Sequence, residues 1–383
     1  MGMPPLSRRS SVPPFHVMEV MRAAEAREAD GARVLHLEVG QPSTPAPAPA
    51  LAAARDAIDH DRLGYTGAAG TRALRRRISD WYRERHDLEV DPERSILITT
   101  GASGAFVLIF LACFDPGQRV AVIEPGYPCY RNDLLALGVE VVPVPVGLDT
   151  GFRPTVEQLD AAGPLDGLVV ASPSNPTGTV LSDRDLADLT HWCRDRGVTL
   201  VCDEIYHGIT FTGPAATALS HDRDVIVVNS FSTYFSMTGW RLGWVVAPPE
   251  PVAAMERLAQ SLTIAPPTLS QIAGLAAFDG IDELDANVER YRTNRRILID
   301  GMAGIGFDRL APADGAFYLW FDVAHTGLTA TGLAERWLAD VAVAVTPGVD
   351  FDPVRGDRWI RLSYAGSTGE MTEAVERLRG WTP

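Results

Sequence analysis

The sequence predicts an α/β protein: a mostly parallel central sheet with helices on both faces, followed by a smaller α+β domain. Two observations predict this. Between residues 95 and 248, short runs of consecutive apolar residues alternate with helical stretches. Alternation of that kind builds parallel strands with crossover helices. After Pro248-Pro249 the pattern turns helical as far as about Asp300, and a mixed segment follows from about Met302. A chain of 383 residues is long enough for two packed domains. The expected division is an N-terminal arm over 1–45 that joins the small domain, a large domain with an interdomain helix over 46–280, and a C-terminal small domain over 281–383.

The elements follow in order. The Pro-containing stretch at 46–58 reads as an extended lead into a helix. The run Arg75-Arg76-Arg77, with Arg83 and Arg85 and interspersed Asp80, Glu84 and Asp87, reads as a solvated helix face. Strands are expected at 95–99, 119–123, 139–144, 167–172, 198–203, 225–230 and 243–248. Each is apolar on successive positions, as strands buried on both faces require. A helix is expected over 182–196, with Ser182 as N-cap and Asp185 closing an acidic variant of the capping box.

Composition excludes several functions. The net charge of −15 argues against a nucleic-acid surface, which needs a basic stripe to displace counterions. Hydrophobic content of 46% and charged content of 22% fit a globular chain with a large core. The four cysteines, Cys113, Cys129, Cys193 and Cys202, form no CxxC pair, which points to a reduced, cytoplasmic setting and no metal. The start of the chain lacks the apolar core of a signal peptide, and the apolar run 105–114 is too short to span a membrane. All 34 basic residues are arginine. No ε-amine exists anywhere in the chain.

Polar residues gather where the strands are expected to end. Strand 95–99 leads into Thr100-Gly101-Ala102-Ser103, small residues that leave backbone N–H groups open to an anion at a helix start. Strand 167–172 leads into Asn175-Pro176-Thr177-Gly178. Strand 198–203 ends at Asp203, followed by Glu204-Ile205-Tyr206. Strand 225–230 ends at Ser230, with Ser232 and Arg241 beyond it. One polar residue at a strand end is a cap or a turn. Four units ending this way mark a ligand site at the carboxyl edge of the sheet.

These motifs, with Arg361-Leu362-Ser363-Tyr364 near the end, resemble the aminotransferases of the aspartate aminotransferase class, which use pyridoxal 5′-phosphate (PLP) on the fold known as type I. The resemblance runs from about Pro14 to the C-terminus. It implies amino-group transfer between an amino acid and a 2-oxo acid, with the site lying in the large domain at a homodimer interface. It implies roles for particular residues. Asp203 would pair with the ring nitrogen of the cofactor, and Asn175 and Tyr206 would bond its phenolic oxygen. Tyr127 would stack on the ring. Ser230, Ser232, Arg241 and the amides of Ala102 and Ser103 would hold the phosphate. Tyr65 would reach the phosphate of a neighbouring subunit. Arg361 would grip the substrate carboxylate, which Asn175 and Gly40 would also approach.

One position departs from the resemblance. The residue after Ser230-Phe231-Ser232 in this family is the lysine that tethers the cofactor as a Schiff base; here it is Thr233. The spacing of eight residues to Arg241 is intact. A threonine hydroxyl forms no imine and is a poor base near neutrality. The cofactor, PLP or pyridoxamine 5′-phosphate, would therefore be held noncovalently. Three readings stand open: an aminotransferase impaired by loss of its lysine, a divergent enzyme using another base, or a noncatalytic subunit that pairs with a lysine-bearing relative. A sulfur-releasing lyase on the same scaffold is a further alternative. The sequence identifies no second arginine for a side-chain carboxylate and so names no substrate.

Overall fold

The computed structural model describes residues 6–382. Twelve strands occur among them, in three sheets. In chain order they are β1 (Leu35–His36), β2 (Ile96–Thr99), β3 (Arg119–Glu124), β4 (Glu140–Pro145), β5 (Gly167–Ala171), β6 (Thr199–Asp203), β7 (Ile226–Ser230), β8 (Gly243–Val246), β9 (Tyr318–Asp322), β10 (Val343–Ala344), β11 (Thr346–Pro347) and β12 (Trp359–Ser363). The central sheet runs β2-β8-β7-β6-β5-β3-β4. Six of its seven strands run in one direction, and β8 alone opposes them, lying antiparallel to both β2 and β7. That reversal is absent from the apolar pattern, because a strand buried on both faces reads the same in either direction.

Successive residues of these strands enter two different cores. Leu168, Val170, Leu200, Cys202 and Val227 join one cluster, packed against the helices Arg72–His86 and Asp183–Arg196. Val169, Val201, Ile226 and Val228 join another, packed against the helices Gly101–Cys113, Pro128–Leu137 and Pro249–Leu262. The two-residue period of a strand thus produces a sheet covered on both sides. The same alternation aims Asp203 and Glu204, which follow Cys202, to opposite faces.

Ser182 caps its helix as expected: its hydroxyl accepts from the Asp185 N–H at 3.1 Å, and the Asp185 carboxylate accepts from the Ser182 N–H at 2.8 Å. The helical region expected from Pro249 to about Asp300 is three helices, Pro249–Leu262, Thr268–Ala277 and Ile281–Ala303. Pro266 and Pro267 explain the first break, since proline lacks the N–H a continuing helix needs. Arg75 departs from the solvated face expected of it. It is buried, donating to the Pro92 carbonyl at 2.6 Å and pairing with Glu93 at 3.2 Å.

The remaining sheets lie outside the central one. β9, β11 and β12 form an antiparallel sheet that carries Tyr318 and Arg361, and β1 pairs in parallel with β10. The segment near residue 36 is therefore tied to the C-terminal part of the chain. No helix among the described residues is long and apolar enough to cross a membrane. No cluster of His, Cys, Asp or Glu among them is suited to hold a metal.

Candidate active site

Parallel strands β5, β6 and β7 deliver their last residues to one edge, and a cavity of about 300 Å³ opens there. Gly40, Ala102, Ser103, Tyr127, Asn175, Asp203, Tyr206, Ser230, Ser232, Thr233, Arg241 and Arg361 all line it. Of the residues expected at the site, Tyr65 alone is not in that lining; it stands on the surface, 84% exposed.

At one end, the helix Gly101–Cys113 begins where β2 ends. Its first residue, Gly101, has φ of +76°, and a Cβ there would lie 2.4 Å from Arg241 Nη2. Glycine thus lets the guanidinium reach the helix N-terminus. Ser230 and Ser232 pair through their hydroxyls at 2.7 Å, and Arg241 Nη1 donates to the Thr238 carbonyl at 3.0 Å. Open N–H groups, hydroxyls and a guanidinium form an anion cradle. Phe231, Phe235 and Met237 are buried and anchor the loop that carries it.

Asp203 sits at the floor, buried. Its Oδ1 accepts from the Ile205 N–H at 3.0 Å and its Oδ2 from the Tyr130 hydroxyl. Both donors are neutral. Burial pushes its carboxyl up to about 6, although the two hydrogen bonds work in the other direction. A protonated ring nitrogen would supply the cation this carboxylate lacks.

At the other end, Arg361 is buried and lies over the rings of Tyr318 and Phe351, at 4.4 and 4.7 Å from their centroids. Its Nη1 donates to Asn175 Oδ1 at 3.0 Å, and its Nη2 to the Glu38 carbonyl and to Thr346 Oγ1. Its Nε is buried with no partner. Tyr206 and Tyr318 join their hydroxyls at 2.9 Å, and burial raises both phenols above their ordinary range, which keeps them protonated donors. Gly40 is required here by Tyr318: a Cβ at position 40 would lie 1.8 Å from the Tyr318 hydroxyl oxygen.

Thr233 is buried at 4% exposure, and its hydroxyl donates to the Ile205 carbonyl. His207 lies off the cavity lining, its Nδ1 3.4 Å from Glu204 Oε2. Burial drives its ring down to about 3, so it is a neutral structural group.

Sequence reasoning missed Tyr130, which sits among the polar residues of a helix start, and Tyr318, whose phenol sits in an apolar run that reads as core. It also missed the wall formed by Phe15, Val17, Met18 and Met21. Only the spacing of the last three, on one helix face, hinted at it.

Comparison with known proteins places the chain in a family. Residues 32–378 match the family described as aminotransferase class I and II. The chain belongs to that family and has its α/β fold, PLP-dependent fold type I. The valine–pyruvate aminotransferase of Mycobacterium tuberculosis H37Rv is 47% identical over 380 residues, covering 98% of each chain. A crystal structure of an aminotransferase from Mycobacterium tuberculosis superimposes with a TM-score of 0.97 at 46% identity, covering 100% of both chains. Aspartate aminotransferase from Thermus thermophilus with maleate gives 0.91 at 31% identity, covering 98% of this chain and 99% of that one. The cofactor the family implies is PLP or its pyridoxamine form. The anion cradle and a buried carboxylate that has only neutral partners fit such a group.

Proposed function

We propose that this chain holds PLP or pyridoxamine 5′-phosphate noncovalently together with an amino acid or 2-oxo acid, and that its amino-transfer activity is impaired because Thr233 occupies the place of the Schiff-base lysine. One observation carries this reading. In a cavity that gathers anion- and ring-binding groups, the only side-chain function at position 233 is a hydroxyl already committed to a backbone carbonyl.

In this reading Ser230, Ser232, Arg241 and the amides of Ala102 and Ser103 hold the phosphate. Asp203 keeps the ring nitrogen protonated, with Tyr130 orienting the carboxylate. Asn175, whose carbonyl oxygen is engaged by Arg361, has its amide nitrogen left to donate to the phenolic oxygen beside Tyr206. Tyr127 covers the ring. Arg361 takes the substrate carboxylate as a two-pronged donor, with Gly40 beside it. When bound, the cofactor supplies the electron sink that amino transfer needs. The missing function is a base that moves a proton at the substrate carbon, and positioned acid–base help of that kind contributes roughly 10²–10⁴-fold. Tyr65, exposed and outside the lining of its own cavity, would serve a neighbouring copy in a homodimer. The unpaired cysteines suit a reduced, cytoplasmic setting.

The test is absorbance and affinity with PLP for this chain and for Thr233→Lys, followed by an amino-acid panel. Because the sequence has no lysine, no other side chain can imitate covalent attachment. PLP should bind to both proteins, with attachment that survives borohydride reduction and gel filtration in Thr233→Lys alone, and turnover should rise with it. No PLP binding by either protein would end the cofactor reading. Fast amino transfer by the Thr233 protein would refute the impairment.

A further inference from the structure

We propose that the segment Phe15–Met21 sets the substrate class of this site as amino acids and 2-oxo acids with an uncharged aliphatic side chain, and that Asp350 is the positioning residue that holds this segment over the cavity. The inference rests on the reading of the cavity given above.

Val17, Met18 and Met21 lie in the helix His16–Ala29 at spacings that place them on one face, and with Phe15 they line the same cavity as Arg361. Phe15 meets the edge of Tyr127 at 6.3 Å between ring centroids. These four side chains carry no hydrogen-bonding group other than weakly accepting thioethers. Two guanidinium groups line the cavity among the described residues, Arg241 in the anion cradle and Arg361 at the other end. With each given one anionic group, this chain's own lining offers no further cation to a second carboxylate. A carboxylate pressed against this wall would lose hydration and gain no partner. Methyl and methylene groups placed there are removed from water at no such cost.

The wall depends on a contact from the far end of the chain. Phe15 stands at the N-cap position and provides no side-chain cap. Instead, the buried Asp350 carboxylate accepts from both His16 N–H, at 2.7 Å, and Val17 N–H, at 2.8 Å. An anion so placed satisfies two open donors and complements the helix dipole. Asn132 Nδ2 fixes the approach by donating to the Pro13 carbonyl at 3.0 Å. The loop carrying Asp350 is itself held: Arg131 donates to the Asp350 carbonyl at 3.1 Å.

The experiment uses unreactive carboxylates as probes of the PLP-loaded full chain: acetate, 3-methylbutanoate and succinate, titrated by calorimetry. PLP affinity is measured first. We expect 3-methylbutanoate to bind about tenfold or more tightly than acetate, the scale of added methylenes in an apolar pocket, and succinate to bind no better than acetate. Met21→Arg should reverse the order of 3-methylbutanoate and succinate. Asp350→Ala should abolish the preference for 3-methylbutanoate over acetate while leaving acetate affinity in place, and Asp350→Asn, which keeps one acceptor, should restore part of it. Succinate binding more tightly than 3-methylbutanoate to the unaltered chain would overturn the proposal, as would an unchanged preference in Met21→Arg. Should Asp350→Ala fail to fold, those two measurements still decide the substrate class, and Asp350→Asn decides the role of Asp350: a full, undiminished preference there would remove it. Failure to bind PLP would defeat the underlying reading; PLP binding with no selectivity would defeat this inference alone.

Discussion

The Thr233 hydroxyl, in the wall of the cavity, donates to the carbonyl of Ile205, two residues beyond Asp203. Its role is to satisfy a backbone acceptor. Thr233→Val should therefore lower stability by about 1–3 kcal/mol, the cost of a buried acceptor left unpaired, as read by urea denaturation. PLP affinity should stay within about twofold, since an isosteric methyl keeps the shape of the wall. A tenfold loss of PLP affinity would instead make the hydroxyl a cofactor ligand.

Asp203 gives the cofactor-free protein a pH signature. Its carboxyl rises from 3.8 to about 6 on folding, mainly through burial. Between these values the unfolded chain ionises while the folded chain keeps its proton. Stability from this group is thus lost as pH rises from about 4 to about 6, on the order of 3 kcal/mol. Asp203→Asn should flatten that part of the curve. Bound PLP should flatten it too, by supplying a cation, and equal slopes with and without PLP would disprove the pairing.

Glu204 acts in a different window. It is fully buried, accepts from Thr217 Oγ1 and Ala218 N–H at 2.9 Å each, and is pushed by burial from 4.5 up to about 8. Above pH 6.5 only the tails of the Asp203 and His207 titrations remain, and they act in opposite directions, so Glu204 dominates that window. Stability should fall by about 2 kcal/mol between pH 6.5 and 8, and Glu204→Gln should remove that fall. Chemical denaturation across the two pH values decides it.

Gly40 and Tyr318 are coupled by contact. A Cβ at position 40 would meet the Tyr318 oxygen at 1.8 Å and its ring carbon Cζ at 2.7 Å. Gly40→Ala should weaken both PLP and carboxylate binding. Adding Tyr318→Phe removes the first clash and leaves the second, so the double variant should recover only part of the loss. A double-mutant cycle on affinity measures it; strict additivity would show that the two residues do not meet.

Arg361→Lys should separate substrate from cofactor. Lysine keeps the charge but loses the planar fork that engages Asn175 and Glu38. Acetate affinity of the PLP-loaded chain should fall by about tenfold or more, with PLP affinity nearly constant. An equal loss in both would place Arg361 on the cofactor.

The sheet was legible because most of its strands are consecutive apolar runs, with Asp203 and Ser230 ending two of them and Asn175 four positions beyond a third. The capping box at Ser182 and Asp185 was legible because its chemistry is local. What escaped notice depends on tertiary contact. Tyr130 reaches Asp203 across 73 positions, and Tyr318 reaches Tyr206 across 112. Neither has a local pattern to mark it as different from core. The burial of Arg75 is of the same kind, since Glu93 and the Pro92 carbonyl become its partners only when the chain turns back.

The bond from His16 to Asp350 spans 334 positions. On a ribosome, the central sheet and the anion cradle can form once residues through Val246 have emerged, roughly 100 residues before Asp350 does. Domains generally fold as they appear. A nascent chain can thus possess the anion cradle well before it has either Arg361 at the other end of the cavity or the apolar wall. PLP present during synthesis would meet a half-built pocket first, and the arm around Phe15–Met21 would be among the last segments to settle, although it is made before the sheet.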